Sequence, residues 1–113
     1  MAAGITLFTG SPAAAQMLKC EISEKHFCEP GKNCVASPST VWNMIDFAKS
    51  TYSRCDKNGC DDYQMRVSES GIYLNILLPD RGGVIAKMTK DGSSFLEVAK
   101  LGTSVYTSFG SCR

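Results

Sequence analysis

The sequence lacks the features by which several classes of protein are recognised. Its 12 lysines and arginines balance 11 aspartates and glutamates, so the formal net charge is only +1. A chain without an excess of positive charge has no electrostatic basis for binding nucleic acid or an anionic membrane surface. No stretch reaches the roughly 18 consecutive apolar residues that a membrane-spanning helix needs. These absences predict no nucleic-acid partner and no transmembrane segment.

Residues for catalysis and metal binding are also scarce. The single histidine, His26, would have to serve any nucleophile–base pair, and no Gly-x-Ser-x-Gly turn is present. Zinc sites use closely spaced cysteine pairs, and the nearest match, Cys55 to Cys60, has no second pair beside it. We therefore predict a non-enzymatic protein with no catalytic residue, no metal site and no cofactor. The open alternatives are an enzyme in which Glu24 or Asp46 orients His26, and a metal-binding domain using cysteine and histidine.

Six cysteines are the most informative feature that the chain does contain. An even number of cysteines in an exported chain of this size predicts three disulfides, and hence an oxidising compartment. Two pairs flank predicted turns and would close short loops, and the third would join the two ends of the mature chain. The predicted pairs are Cys28–Cys34, Cys55–Cys60 and Cys20–Cys112.

The N-terminus indicates export as well. Residues 1–15 are apolar and then rich in alanine, and Ala13 and Ala15 match the small-residue rule for signal-peptide cleavage before Gln16. The basic segment that opens a signal peptide is absent, because Lys19 is the first basic residue. We interpret residues 1–15 as the remnant of a secretory signal peptide and residues 16–113 as one periplasmic or secreted domain. The alternative is an ordinary flexible or strand-forming N-terminus.

Turn signals divide the rest of the chain into short strands with alternating apolar residues. Asn58-Gly59 and Asp91-Gly92 are typical of tight hairpin turns. Residues 41–49 fit either a short helix or a strand, and a strand across Ile45–Phe47 is favoured. The fold class predicted is all-β, an antiparallel meander that forms a small barrel or a compact sandwich. The other predicted strands are Tyr52–Cys55, Cys60–Val67, Ile72–Leu78, Val84–Met88, Phe95–Lys100 and Ser104–Phe109.

Tyrosines on these strands provide a candidate binding surface. If Ile72, Leu74 and Val105 face the core, then Tyr73 and Tyr106 face outward and could form a patch. Core or cross-strand packing is the alternative for both tyrosines.

Two motifs carry a resemblance that covers most of the chain after Cys20. The segments Thr51-Tyr-Ser-Arg-Cys-Asp56 with Gly59-Cys-Asp61, and the ending Ser108-Phe-Gly-Ser-Cys112, resemble small exported bacterial cysteine-containing proteins without an assigned activity. This resemblance implies export and a disulfide-stapled β fold, and it adds no catalytic residue.

A second likeness is to the periplasmic inhibitors of c-type lysozyme, which are small barrels with a disulfide. Their Ser-x-Ser-Gly-x-x-Tyr loop is similar to Ser68-Glu-Ser-Gly-Ile-Tyr73, although the tyrosine comes one residue early. The Trp-x-Lys-Gly segment of the family has no counterpart, and Val84–Met88 stands in that region. The resemblance implies Ser70 and Lys87 as contacts with an inhibited hydrolase.

Together these observations predict an exported, non-enzymatic β domain that binds a protein or a small ligand in the cell envelope. Its candidate binding residues are Ser70, Tyr73, Lys87 and Tyr106. The alternatives are a periplasmic inhibitor of a hydrolase such as lysozyme and a metal-binding domain.

Overall fold

The computed structural model describes residues 17–113, and the predicted signal-peptide remnant at 1–15 lies outside them. Regular structure in the described range consists of β-strands. We number them β1 to β10 in chain order: Met17–Cys28, Val35–Ala36, Trp42–Asp46, Thr51–Asp56, Gly59–Gln64, Arg66–Ser70, Tyr73–Leu77, Val84–Thr89, Phe95–Leu101 and Ser104–Cys112.

The strands form one antiparallel sheet that is nearly closed into a barrel, which confirms the predicted fold class. The strand order is β5-β4-β3-β1-β10-β9-β8-β7-β6, and the short β2 pairs with β1 outside this path. The two strands at the ends of the order, β5 and β6, follow each other in sequence. The chain itself therefore joins the two edges of the sheet.

The junction between β5 and β6 lies at Met65, where the sequence predicted one strand across Cys60–Val67. That prediction is wrong, because the chain changes strand partner here: β5 pairs with β4, whereas β6 pairs with β7. The Met65 amide instead donates a hydrogen bond to the Ser50 carbonyl oxygen, 2.9 Å away. The Met65 side chain is buried in the core, so the alternation with Tyr63 and Val67 continues through the break.

Alternation of apolar residues determines which face of each strand lines the barrel. On β8, for example, Val84, Ala86 and Met88 are buried, whereas Ile85 and Lys87 point outward. The strand predicted across Ile45–Phe47 is present as β3, and Ile45 is fully buried. The structure therefore resolves the helix-or-strand alternative for this segment in favour of a strand.

Three side-chain orientations differ from the sequence prediction, those of Ile72, Tyr106 and Val105. Ile72 is 64% exposed because it lies in the turn that follows Gly71, whose φ of 62° favours glycine. Tyr106 packs against the core rather than facing outward. Strand alternation then places Val105 on the opposite face of β10 from Tyr106.

The three predicted disulfide pairs are present in the structure. Cys20 and Cys112 lie directly opposite each other on the neighbouring strands β1 and β10. Beside this bridge, the backbones of Lys19 and Arg113 exchange two hydrogen bonds of 2.9 and 3.0 Å. The first and last described strands are thus joined both covalently and by backbone pairing.

Candidate functional site

Strands β7 to β10 carry apolar side chains on the outside of the barrel as well as on the inside. Cross-strand registration aligns Leu77, Ile85 and Val98 in one row, and Lys87, Leu96 and Phe109 in the next. Side chains that are directly opposite on neighbouring strands lie on the same face of a sheet. We define the outer face by its six apolar residues: Tyr73, Leu77, Ile85, Leu96, Val98 and Phe109.

The outer face is open to solvent. The exposed fractions are 53% for Leu77, 50% for Ile85, 41% for Phe109 and 40% for Tyr73. Two neighbouring grooves of about 240 and 310 Å³ run along it and share Lys87 and Leu96 as lining residues. Single apolar side chains on a surface are ordinary, but a contiguous exposed group of them is typical of a binding surface.

A single cation, Lys87, lies within the grooves of the outer face. Its ammonium nitrogen is 4.9 Å from the centroid of the Tyr73 ring, which is the geometry of a cation–π contact. Ser70 is exposed and lies opposite Tyr73 in the register between β6 and β7. The structure therefore brings together three of the four binding residues proposed from the sequence.

The fourth such residue, Tyr106, lies at the barrel interior instead. Its ring contacts that of Phe27, with centroids 4.7 Å apart, and the Lys25 ammonium lies 4.8 Å from its centroid. Lys25, Phe27 and Tyr106 are all half-buried. These residues lie beside the part of β1 that extends past its pairing with β3. That pairing ends where Glu21 lies opposite Trp42, the first residue of β3.

A buried polar cluster, which the sequence did not predict, lies inside the barrel. Its members are Asn43, Tyr52, Arg54 and Glu97. One carboxylate oxygen of Glu97 accepts hydrogen bonds from the Tyr52 hydroxyl at 2.5 Å and from the Asn43 amide at 3.4 Å. The other carboxylate oxygen lies 3.7 Å from Arg54 Nε. We call these four residues the interior cluster.

Burial differs among the charged members of the interior cluster. The Glu97 side chain is 4% exposed, whereas that of Arg54 is 25% exposed. Arg54 Nε is itself buried and has no hydrogen-bond partner among residues 17–113. An ion pair of this kind costs desolvation, which further hydrogen bonds to the charged groups must offset. Tyr52 and Asn43 supply those bonds on the Glu97 side, and the Arg54 side keeps an unused donor.

Tyr52 keeps its proton in the interior cluster. Desolvation by burial raises the pKa of this phenol well above its ordinary value, and the charge and hydrogen bond of Glu97 act in the same direction. The neutral hydroxyl is thus the donor, and the Glu97 carboxylate is the acceptor. The role of Tyr52 in this arrangement is to hold the Glu97 carboxylate inside the barrel.

Alkaline titration tests this assignment. A group whose pKa is raised on folding stabilises the folded protein below its unfolded pKa, near 10 for tyrosine. That stabilisation is lost as the pH rises from there towards the folded value. We expect Tyr52 to ionise only when the protein unfolds, so ultraviolet absorbance should show a tyrosinate step that coincides with loss of the fold. In Tyr52→Phe this tyrosinate step should disappear, and an unchanged absorbance curve would contradict the assignment.

Residues considered for catalysis or metal binding lie elsewhere. His26 Nε2 is 3.5 Å from Glu24 Oε2 on β1, and the Glu24 side chain is largely exposed. Asp46 lies at the far end of β3, where it accepts a hydrogen bond from the Lys49 amide. All six cysteine sulfurs are bonded in disulfides. Within residues 17–113 no group of three histidine, cysteine, aspartate or glutamate side chains converges as metal ligands would.

Comparisons with protein-family models, with curated proteins and with solved structures find no match to this chain. In the described part of the chain, no helix has the length and apolar character needed to cross a membrane. Function is therefore inferred from the geometry of the outer face and the barrel interior.

Proposed function

We propose that this chain is an exported, non-enzymatic binding domain that recognises another protein through the outer face. The observation that carries the proposal is the exposure of apolar side chains across four neighbouring strands, with Leu77 and Ile85 half-exposed side by side. Leaving these side chains in water forgoes the stabilisation that burial provides, about 25 cal/mol per Å² of apolar surface. A partner that covered these apolar side chains would recover that stabilisation.

The shape of the outer face favours a protein over a small molecule as the partner. A small-ligand site is usually a deep cavity that encloses most of its ligand. The two grooves here are instead on the outside of the sheet and share only Lys87 and Leu96 as lining residues. Because β8 and β9 are hydrogen-bonded on both sides, the face has little backbone freedom to lose on binding. The Lys87 ammonium would pair with an acidic or carbonyl group of the partner.

Export is supported by the cysteine chemistry. Three disulfides are typical of proteins in the periplasm or outside the cell, because reducing systems keep cytosolic thiols free. The signal-peptide interpretation of residues 1–15 agrees with this compartment. We therefore infer a partner in the cell envelope or beyond it.

Site-specific photo-cross-linking tests the proposal. A benzophenone amino acid is placed at position 77 in the outer face or, as a matched control, at the exposed position 57 in the hairpin turn between β4 and β5. In cells that express the chain, we expect one defined protein adduct at position 77 that excess unlabelled protein suppresses. We expect no such adduct at position 57. Absence of an adduct at position 77, or the same adducts at both positions, would contradict the proposal.

The same derivative addresses the inhibitor alternative. Purified c-type lysozyme is mixed with the chain that carries the cross-linker at position 77. An adduct would identify lysozyme as the class of partner, and Ser70 and Lys87 would then be tested as contacts. Failure to form an adduct would exclude lysozyme as a ligand of this face.

A further inference from the structure

Three basic side chains project from the same side of the sheet as the outer face. Arg66 lies opposite Leu77 in the pairing of β6 with β7, so the two side chains share a face. Lys87 lies opposite Leu96 in the pairing of β8 with β9. Lys100 follows on β9 with an even spacing from Leu96, so strand alternation places it on the same side. We call Arg66, Lys87 and Lys100 the outer cations.

The outer cations have no counter-charge on these strands. All three side chains are exposed, and within residues 17–113 none of them forms an ion pair with a carboxylate. Strands β6 to β10 contain two carboxylates, and both are on the other side of the sheet. Glu69 lies opposite the buried Leu74, and Glu97 is inside the barrel.

The cross-strand neighbours of the outer cations are uncharged as well. Arg66 faces a leucine, Lys87 lies between Asn75 and Leu96, and Lys100 lies opposite Val105. Directly opposite side chains are the ones that pair across a sheet. The outer cations are therefore without an acidic partner in the register as well as by distance.

Carboxylates at the margins of the sheet do not reach the outer cations. Glu24 on β1 has His26 Nε2 at 3.5 Å. Asp91, in the turn between β8 and β9, accepts three hydrogen bonds from within that turn. Asp80 lies in the loop between β7 and β8 and forms no ion pair with a basic group of residues 17–113. The basic character of this side of the sheet thus remains.

The spacing of the outer cations excludes one small anion as their common ligand. Strands about 4.8 Å apart, with residues about 3.4 Å apart along each strand, separate the three Cα atoms by roughly 12–16 Å. The apolar row that contains Leu77 and Ile85 begins beside Arg66 and passes between Lys87 and Lys100. A partner that satisfies all three cations must therefore present separate acidic groups around an apolar centre, as the surface of a protein can.

A second copy of this chain does not meet that requirement. A two-fold interface brings the same patch of both subunits together. The outer cations of each copy would then border a shared apolar contact to which neither copy brings a carboxylate. Like charges that face each other across an interface oppose association.

We propose that the partner of the outer face is an acidic protein, which covers the apolar residues with an apolar strip and places carboxylates against Arg66, Lys87 and Lys100. This inference rests on the proposed function, because it assigns the charge of the partner for the same surface. Complementary charge steers two proteins into the correct orientation and rejects partners of like charge. The apolar residues provide the buried area, and the outer cations provide selectivity.

Two synthetic amphipathic peptides test the preference for acidic groups. Both have leucine on one face, and the other face carries glutamate in the first peptide and lysine in the second. Backbone NMR spectroscopy of the purified chain follows binding. We expect saturable shifts at residues 77, 85 and 98 with the glutamate peptide, and binding at least about tenfold weaker with the lysine peptide. Equal affinities, tighter binding of the lysine peptide, or no binding of either would overturn the proposal.

Charge reversal assigns the preference to the outer cations. Arg66→Glu combined with Lys100→Glu should bind the glutamate peptide at least about tenfold more weakly and the lysine peptide more tightly than the unaltered chain does. Lys57→Glu reverses an exposed lysine in the turn between β4 and β5 and should keep the original preference. Unfolding midpoints establish that each variant is native. An unchanged preference in the folded double variant would overturn the proposal.

The cross-linker at position 77 separates failure of this inference from failure of the proposed function. We expect the adduct that forms in cells to be lost when the chain also carries Arg66→Glu and Lys100→Glu. An adduct that persists in this variant would overturn the acidic partner and leave the proposed function standing, whereas no adduct in either chain would overturn both. Sedimentation of the unaltered chain, but not of this variant, with phosphatidylglycerol vesicles would assign the outer cations to anionic lipid and overturn the acidic protein.

Discussion

Replacing Glu97 by alanine is expected to lower the free energy of unfolding by about 3–5 kcal/mol. The carboxylate accepts the hydrogen bonds of Tyr52 and Asn43 and is the counter-charge to Arg54. Without it, a buried hydroxyl loses its acceptor and a partly buried guanidinium loses its ion-pair partner, while the lost side chain leaves a cavity. Chemical denaturation of the variant and the unaltered chain measures the difference.

Glu69 is the matched control, because it also forms an ion pair but does so at the surface. Its carboxylate is 2.7 Å from the Lys90 ammonium, closer than Glu97 is to Arg54, yet the two side chains are 41% and 33% exposed. Water screens such a pair, so Glu69→Ala should cost no more than about 1 kcal/mol. Equal losses for the two variants would contradict the role assigned to the interior cluster.

A second variant pair separates the carboxylate from its counter-charge. Glu97→Leu alone leaves Arg54 unpaired, whereas Glu97→Leu with Arg54→Met removes both charges. Buried ion pairs are costly mainly when one partner is removed. We therefore expect the double variant to be more stable than Glu97→Leu, and a double variant that is less stable would show that Arg54 is held by other contacts.

Replacing Cys20 and Cys112 together by alanine is expected to cost about 4–5 kcal/mol. The two cysteines are 92 residues apart in sequence, so the bridge restricts nearly the whole unfolded chain. The entropy that a cross-link removes from the unfolded state grows with the length of the loop it closes. Denaturation of the oxidised protein, with the other two bridges intact, measures the loss.

The Cys28–Cys34 bridge provides the comparison for this prediction. Its cysteines are only 6 residues apart, and the same relation gives about 2 kcal/mol for a loop of that size. Replacing Cys28 and Cys34 by alanine should therefore be the milder change. If both double variants lost the same stability, restriction of the unfolded chain would not be the main contribution of the long bridge.

Local features of this fold could be predicted from the sequence because they depend on neighbouring residues. Asn58-Gly59 predicted the turn between β4 and β5, and Gly59 has a φ of 131° there. Cys55 and Cys60 flank that turn and pair across it. The position of Met65 was misjudged, since alternation continues through a change of strand partner that only the complete sheet reveals.

The interior cluster could not be predicted from the sequence, because it depends on residues that are far apart along the chain. Tyr52 and Glu97 are 45 residues apart, and closure of the barrel brings them together. Local alternation gives no guidance on β9, because apolar residues occupy both faces: Phe95 and Ala99 face inward, and Leu96 faces outward. Because β9 is apolar on both faces, its sequence pattern did not indicate that Glu97 faces inward. The same pattern was, however, the sequence signal from which the outer face could have been predicted.

Competition for the adduct formed at position 77 tests the central claim, binding through the outer face, most directly. Ile85 lies opposite Leu77, so Ile85→Glu places a carboxylate in the middle of the face without altering the core. As an unlabelled competitor, this variant should be at least roughly tenfold weaker than the unaltered chain, since burying an unpaired charge is unfavourable. Lys57→Glu should compete as well as the unaltered chain. Equal competition by folded Ile85→Glu would contradict the claim.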